Sequence, residues 1–147
     1  MAELTRKELV LALIAAGDRP RLAGLDLSGL DLAHLDLHGA DLSGANLAGC
    51  RLAHANLSGA VLTRCDCRGA DFSAADLSLA VLQRVDFTAA LCRQTCFRGA
   101  DCTGALWAQA DLGGAVFLHA SEPPTMAAVN ESAPPQLRES AALRHLG

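Results

Sequence analysis

The stretch Leu25-Asp26-Leu27-Ser28-Gly29 is followed by Leu30-Asp31-Leu32-Ala33-His34 and Leu35-Asp36-Leu37-His38-Gly39, and the same five-residue pattern runs from about Pro20 to Ala120. With the central apolar residue as position i, the centres fall at Leu22, Leu27, Leu32 and onward through Cys67, Phe72, Phe87, Cys92, Phe97, Cys102, Trp107 and Leu112 to Phe117. All are apolar. Two residues earlier stand Leu25, Leu30 and Leu35 and then mostly alanine, with Thr95 the one polar exception. The remaining slots hold Asp, Asn, Ser, Thr, Arg, Gly or other small residues.

A period of five matches neither the 3.6 of a helix nor the 2 of a strand, so neither would keep these residues on one face. The chain must turn once per repeat. If each repeat forms one side and four sides close a coil, the large i residue and the small i−2 residue both point inward, which is the pattern of a solenoid. Alanine at i−2 then follows from space, because a narrow coil has room for one large and one small side chain per side. Asp, Asn, Ser and Gly suit the corners, where the backbone turns and side chains can bond local amides.

Runs such as Ala40-Asp41-Leu42-Ser43-Gly44, Ala45-Asn46-Leu47-Ala48-Gly49 and Ala70-Asp71-Phe72-Ser73-Ala74 resemble the pentapeptide-repeat proteins, whose pattern is A(D/N)LXX. The resemblance covers about two thirds of the chain. It implies an all-β solenoid, a right-handed quadrilateral parallel β-helix of about five coils; periodicity alone leaves the hand open. Such a rod is on the order of 24 Å long at a strand spacing of about 4.8 Å.

The expected organisation is an N-terminal capping helix in 1–19, the solenoid in 20–120 and a Pro-containing tail in 121–147. The helix is expected from about Thr5 to Ala16: Thr5 and Glu8 form a capping-box pattern, Leu4 and Leu9 sit where a hydrophobic staple would, and Gly17 supplies the stop. Val10, Leu11, Leu13 and Ile14 are too apolar for a free surface helix, and an open solenoid end needs a cover. A membrane-binding role fits less well because the helix lacks a basic face. In the tail, Pro123, Pro124, Pro134 and Pro135 interrupt regular structure, and Gln136 to Leu146 has the makings of a short helix. That helix would cap the far end of the coil, or serve as a homodimer contact or a docking peptide; no spacing separates these roles.

The chain has 147 residues, 51% hydrophobic, and a formal net charge of −4, which suits one domain with a sizeable core. The first apolar run follows Arg6, Lys7 and Glu8 without a signal-peptide cleavage pattern, and no run approaches the roughly 20 apolar residues of a membrane span. The expectation is a cytoplasmic, bacterial protein with reduced thiols.

Chemistry-bearing groups do not converge in the sequence. Cys50, Cys65, Cys67, Cys92 and Cys102 fall in inward slots as small hydrophobes, and Cys96 alone faces out. No C-x-x-C pair exists, and inward cysteines cannot meet outward histidines at a metal. His34 and His54 share one outward slot a coil apart, without a carboxylate to complete a site. No nucleophile elbow, phosphate-cradling loop or paired catalytic acids are visible, so neither enzymatic activity, a metal nor a cofactor is expected.

The surface is left to carry function. Residues 20–59 are acidic, and the next two coils are slightly basic through Arg64, Arg68, Arg84, Arg93 and Arg98. Asp66 and Asp86 adjoin Arg64 and Arg84 and could make a salt-bridge ladder with them. Apolar side chains occupy outward slots at Val61, Val81, Leu91, Cys96, Leu106, Val116 and Leu118. The candidate partner surface is therefore Arg64, Arg68, Arg84, Arg93 and Arg98 with Leu91, Leu106, Val116 and Leu118. Two functions follow. One is a rigid protein–protein interaction scaffold or adaptor of unknown partner; a secretion-system component is one candidate, since similar repeats occur beside bacterial type VI secretion components. The other, implied by the quinolone-resistance members of the family, is a DNA mimic binding DNA gyrase or topoisomerase. The modest net charge, the basic middle and the lack of inserted loops fit that class poorly. Direct nucleic-acid binding is not expected, because the chain is acidic and its aromatics are inward.

Overall fold

The computed structural model describes residues 4–125: one helix, α1 (Arg6–Ala16), followed by a continuous coil. The residue before each centre bridges, in parallel, the residue twenty further on, from Arg21 with Asp41 through Asp101 with Ser121. Four bridges in each twenty residues give a four-sided coil. Side 1 holds the centres Leu22, Leu42, Leu62, Leu82 and Cys102. Side 2 holds Leu27 to Trp107, side 3 Leu32 to Leu112 and side 4 Leu37 to Phe117, all buried.

Each side ends in a tight turn, in which the amide three residues past the centre donates to the centre's carbonyl, as Ala45 does to Leu42 at 2.9 Å. The corner residue, two past the centre, has positive φ throughout, from Gly24 at 73° to His119 at 62°. This is the third position of a type II turn, where a side chain is strained and glycine is not. Ten of the twenty corners nevertheless carry a side chain, including Arg64, Leu79 and Arg84.

The acidic slots serve the same turns. At the bridge position every Asp and Asn, twelve in all, accepts through Oδ1 the amide N–H two residues on, as Asp41 does from Ser43 at 3.0 Å. Between the first two coils, eight backbone amides of the first donate forward to carbonyls of the second, and four of the second donate back. The centre and corner amides point forward, and the bridge amide points back.

The interior changes along the rod. In the first coil Leu25, Leu30 and Leu35 at i−2 are only half-buried and pack on the core, whereas Ala40 and most of its successors are buried. Later coils hold aromatic rings: Phe87 stacks on Trp107 at 4.5 Å and Phe97 on Phe117 at 4.7 Å, with Phe97 edge-on to Trp107. Thr95 is fully buried, and its hydroxyl donates to the Phe72 carbonyl at 2.7 Å. The thiols of Cys50 and Cys65 make the equivalent bond to Leu27 and Leu42.

Helix α1 lies over the N-terminal coil. Thr5 caps it, accepting the Glu8 amide at 3.1 Å; Leu9 is fully buried, and Leu4 and Leu13 pack beside it. The guanidinium of Arg6 donates to the carbonyls of Asp31 and Ala33 on the first coil's edge. The expectation that the whole apolar run covers the core needs correction, because Leu11 and Ile14 are 58% and 75% exposed. A straight helix touches a flat coil end along one stripe, and Leu9 and Leu13, four apart, occupy it. At the other end the Gly104 amide donates to the Glu122 carboxylate at 3.4 Å. The segment Gln136 to Leu146, expected as a short helix, lies outside the described residues, as do Pro134 and Pro135.

Candidate interaction surface

Among the described residues, no cluster of metal-binding side chains assembles. Five cysteines are buried and Cys96 is half-buried. Burial pushes the Cys50 thiol up to about 11 and that of Cys102 to about 12, and raises Cys67 and Cys92 as well. Thiols held so far above neutral carry almost no thiolate, the form that attacks electrophiles or binds metals. His34 and His54 stack as parallel rings 4.9 Å apart. Among the described residues no group of three or more His, Cys, Asp or Glu gathers at one point, and no helix is long and apolar enough to cross a membrane.

The residues of the expected partner surface are spread over all four sides. Arg64 and Arg84 are corners after side 1; Arg68 and Leu106 belong to side 2, Leu91 and Arg93 to side 3, and Arg98, Val116 and Leu118 to side 4. Two of the arginines already have carboxylates. Arg68 grips Asp66 with both its Nε and its terminal nitrogen, at 2.9 and 2.7 Å, and reaches Asp86 at 4.0 Å. Arg93 lies 3.7 Å from Asp111. The ladder in which Asp66 and Asp86 serve Arg64 and Arg84 does not form, because Arg68, on the same side as both acids, takes them. Arg64, Arg84 and Arg98 make no ion pair among the described residues.

On side 1 several departures from the repeat coincide. Its outward column reads Arg21, Asp41, Val61, Val81, Asp101, and its trailing corner Gly24, Gly44, Arg64, Arg84, Gly104. Its leading corner reads Gly39, Gly59, Leu79, Gly99, His119. In the middle coils, then, two valines lie between a leucine on one edge and, on the other, two arginines with no ion pair among the described residues. A shallow groove of about 710 Å³ runs along the arginine edge, beside Thr63 and Gln83. Leu79, 70% exposed at φ 59°, is the residue that sequence reasoning missed. Its signal was available: it is the one large apolar side chain in a corner slot. The outlying carboxylates are engaged, Asp41 by Ser43 and Asp101 by Thr103 and Gln83.

Comparison with known proteins agrees with this geometry. A family model described as pentapeptide repeats matches in eight copies, over residues 21–49, 40–78, 65–101 and 95–121. No curated protein matches the chain in sequence. Among solved structures, a pentapeptide repeat protein from the Arabidopsis thaliana thylakoid lumen is 25% identical with a TM-score of 0.69, covering 88% of this chain and 91% of its own. HetL from Nostoc sp. strain PCC 7120, a pentapeptide repeat protein involved in heterocyst differentiation regulation, is 25% identical with a TM-score of 0.57, covering 80% of this chain and 64% of its own. The plasmid-mediated fluoroquinolone resistance protein QnrB1 matches at 22% identity and a TM-score of 0.38, covering 75% of this chain and 67% of its own. With its bridges, turns and matched repeats spanning two thirds of its length, this chain belongs to the pentapeptide-repeat family.

Proposed function

We propose that this chain is a rigid, non-enzymatic docking module for a protein partner in the cytoplasm, wound in the right-handed sense its family implies. The observation that carries the reading is the middle of side 1. There Val61 and Val81 replace the Asp or Arg of neighbouring coils, and Arg64 and Arg84 stand at strained corners that Gly24, Gly44 and Gly104 occupy elsewhere. A solenoid needs none of these residues for its core. Local rules broken together on one exposed patch are the usual mark of a binding surface. The acidic ladders, by contrast, have a structural task in every coil, holding the turn amides.

The test is capture from the native cell's extract by the intact chain and by a variant carrying Arg64→Gly and Arg84→Gly. The expected result is a partner retained by the first and lost by the second. DNA gyrase retained equally by both would overturn the reading and make the rod a DNA mimic acting through its aspartates.

A further inference from the structure

We infer that side 1 receives an acidic α-helix of the partner, laid along the rod with carboxylates at positions i and i+3 on Arg64 and Arg84; this rests on the docking reading above. The two arginines occupy the same corner one coil apart, and the coil spacing is given by the 4.9 Å stack of His34 on His54. Three residues of an α-helix advance about 4.5 Å, which nearly matches that spacing. Same-side residues of an extended strand repeat at about 6.6–6.8 Å and would fall out of step after one pair.

Charge and apolar surface agree with that occupant. Neither guanidinium has a carboxylate within ion-pair distance among the described residues, so both are available for charge-assisted bonds. Their column is parallel to that of Val61 and Val81, three residues back on each coil. On a helix with acids at i and i+3, the adjoining ridge is i+1 and i+4, again three residues apart. Apolar residues there would lie on the valines, with Leu79 closing the far edge. The side chain of Leu79 already leans along the rod over Gly99, whose added Cβ would meet its Cδ2 at 2.8 Å. The groove floor is Thr63 and Gln83, neither charged.

Two labelled, side-chain-stapled helical peptides test this against the intact chain by fluorescence anisotropy. One carries Glu at i and i+3 with Leu at i+1 and i+4; the other has the same composition with the glutamates at i and i+2. The first is expected to bind, more weakly as salt rises, and to lose about tenfold or more in affinity with Arg64→Gly and Arg84→Gly together. Because glycine is native to that corner in three other coils, these variants keep the fold, which their melting temperatures check. Arg68→Ser and Arg93→Ser, which remove arginines already paired, are expected to leave binding within about twofold. Equal binding of the two peptides, or an equal loss with Arg68→Ser and Arg93→Ser, overturns the inference. If the glycine variants lose the cellular partner while neither peptide binds, the docking reading stands and the helical occupant falls. If neither partner nor peptide responds to the glycine variants, both fall.

Discussion

The first two coils and the last three obey one rule inside and different rules outside. From residue 20 to 59, six of eight corners are glycine, every outward bridge position is Asp, Asn or Arg, and every centre is leucine. From residue 60 to 120, eight of twelve corners carry side chains in the left-handed region, several bridge positions are apolar, and aromatic rings fill the coil. Both halves close because the interior slots are satisfied in each. Corner strain costs about 1–2 kcal/mol per non-glycine residue, and it is concentrated in the half whose core buries the largest side chains. The inward columns therefore specify the fold, and the outward ones are free to vary.

The contrast between inward and outward slots breaks most visibly at one pair of neighbours. Leu77→Asp places a carboxylate among fully buried leucines and phenylalanines, and loss of the cooperative thermal transition is expected. Asp76→Ser, one residue away and exposed, is expected to melt within a few degrees of the parent; equal behaviour of the two would refute the register. Next in size is the difference between the two halves of the core. Phe97→Ala removes a ring stacked on Phe117 and edge-on to Trp107, at an expected cost of about 4 kcal/mol, against about 3 kcal/mol for Leu57→Ala two coils earlier on the same side, in the leucine half. Urea titration of both proteins gives the comparison.

Corner strain predicts a change of opposite sign. Ala89 sits at φ 61° in the column Gly29, Gly49, Gly69, Ala89, Gln109, so Ala89→Gly should stabilise by about 0.5–1 kcal/mol in the same titration. A destabilised variant would mean that this corner is not strained. The smallest effect concerns the acids. Asp41 is held below the ordinary carboxylate range by the Ser43 hydroxyl and then by its amide, and Asp26 likewise by the hydroxyl and amide of Ser28. A lowered folded-state value adds stability above the unfolded pKa of about 3.9, and that stability is lost as pH falls through the folded value. The melting temperature should thus drop below about pH 4. Asp41→Asn should blunt that drop slightly while keeping the turn, since Asn46 and Asn56 make the same bond.

How much of this was legible in the sequence depended on what each slot has to do. The register, the coil and the buried cysteines followed from the five-residue spacing, because an interior slot admits only a narrow range of volume. Thr95 was visible as an exception but its remedy was not; a hydroxyl bond to a carbonyl of the previous coil depends on the stacking. The function of Asp66 and Asp86 was misassigned for a related reason. Adjacency along the chain suggested Arg64 and Arg84, whereas the folded column gives them Arg68. Leu79 does not show in the bridge slots, where outward apolar residues are sought; its signal is a bulky side chain in a corner column that holds Gly39, Gly59 and Gly99. The scattering of Leu91, Leu106, Val116 and Leu118 over three sides could be read only once the four columns were laid out in space.

The two-to-one asymmetry of the backbone bonds gives the rod an electrical direction. With eight amides pointing forward across the first coil interface for every four pointing back, the peptide dipoles add along the axis. Their positive end lies at the last coil, the reverse of an α-helix, and the carbonyl-rich negative end at the first. The chain's terminal contacts comply: a guanidinium, Arg6, sits on the first coil's carbonyls, and a carboxylate, Glu122, meets an amide of the last. The rod is poled, and a charge of given sign is favoured at one of its ends and opposed at the other.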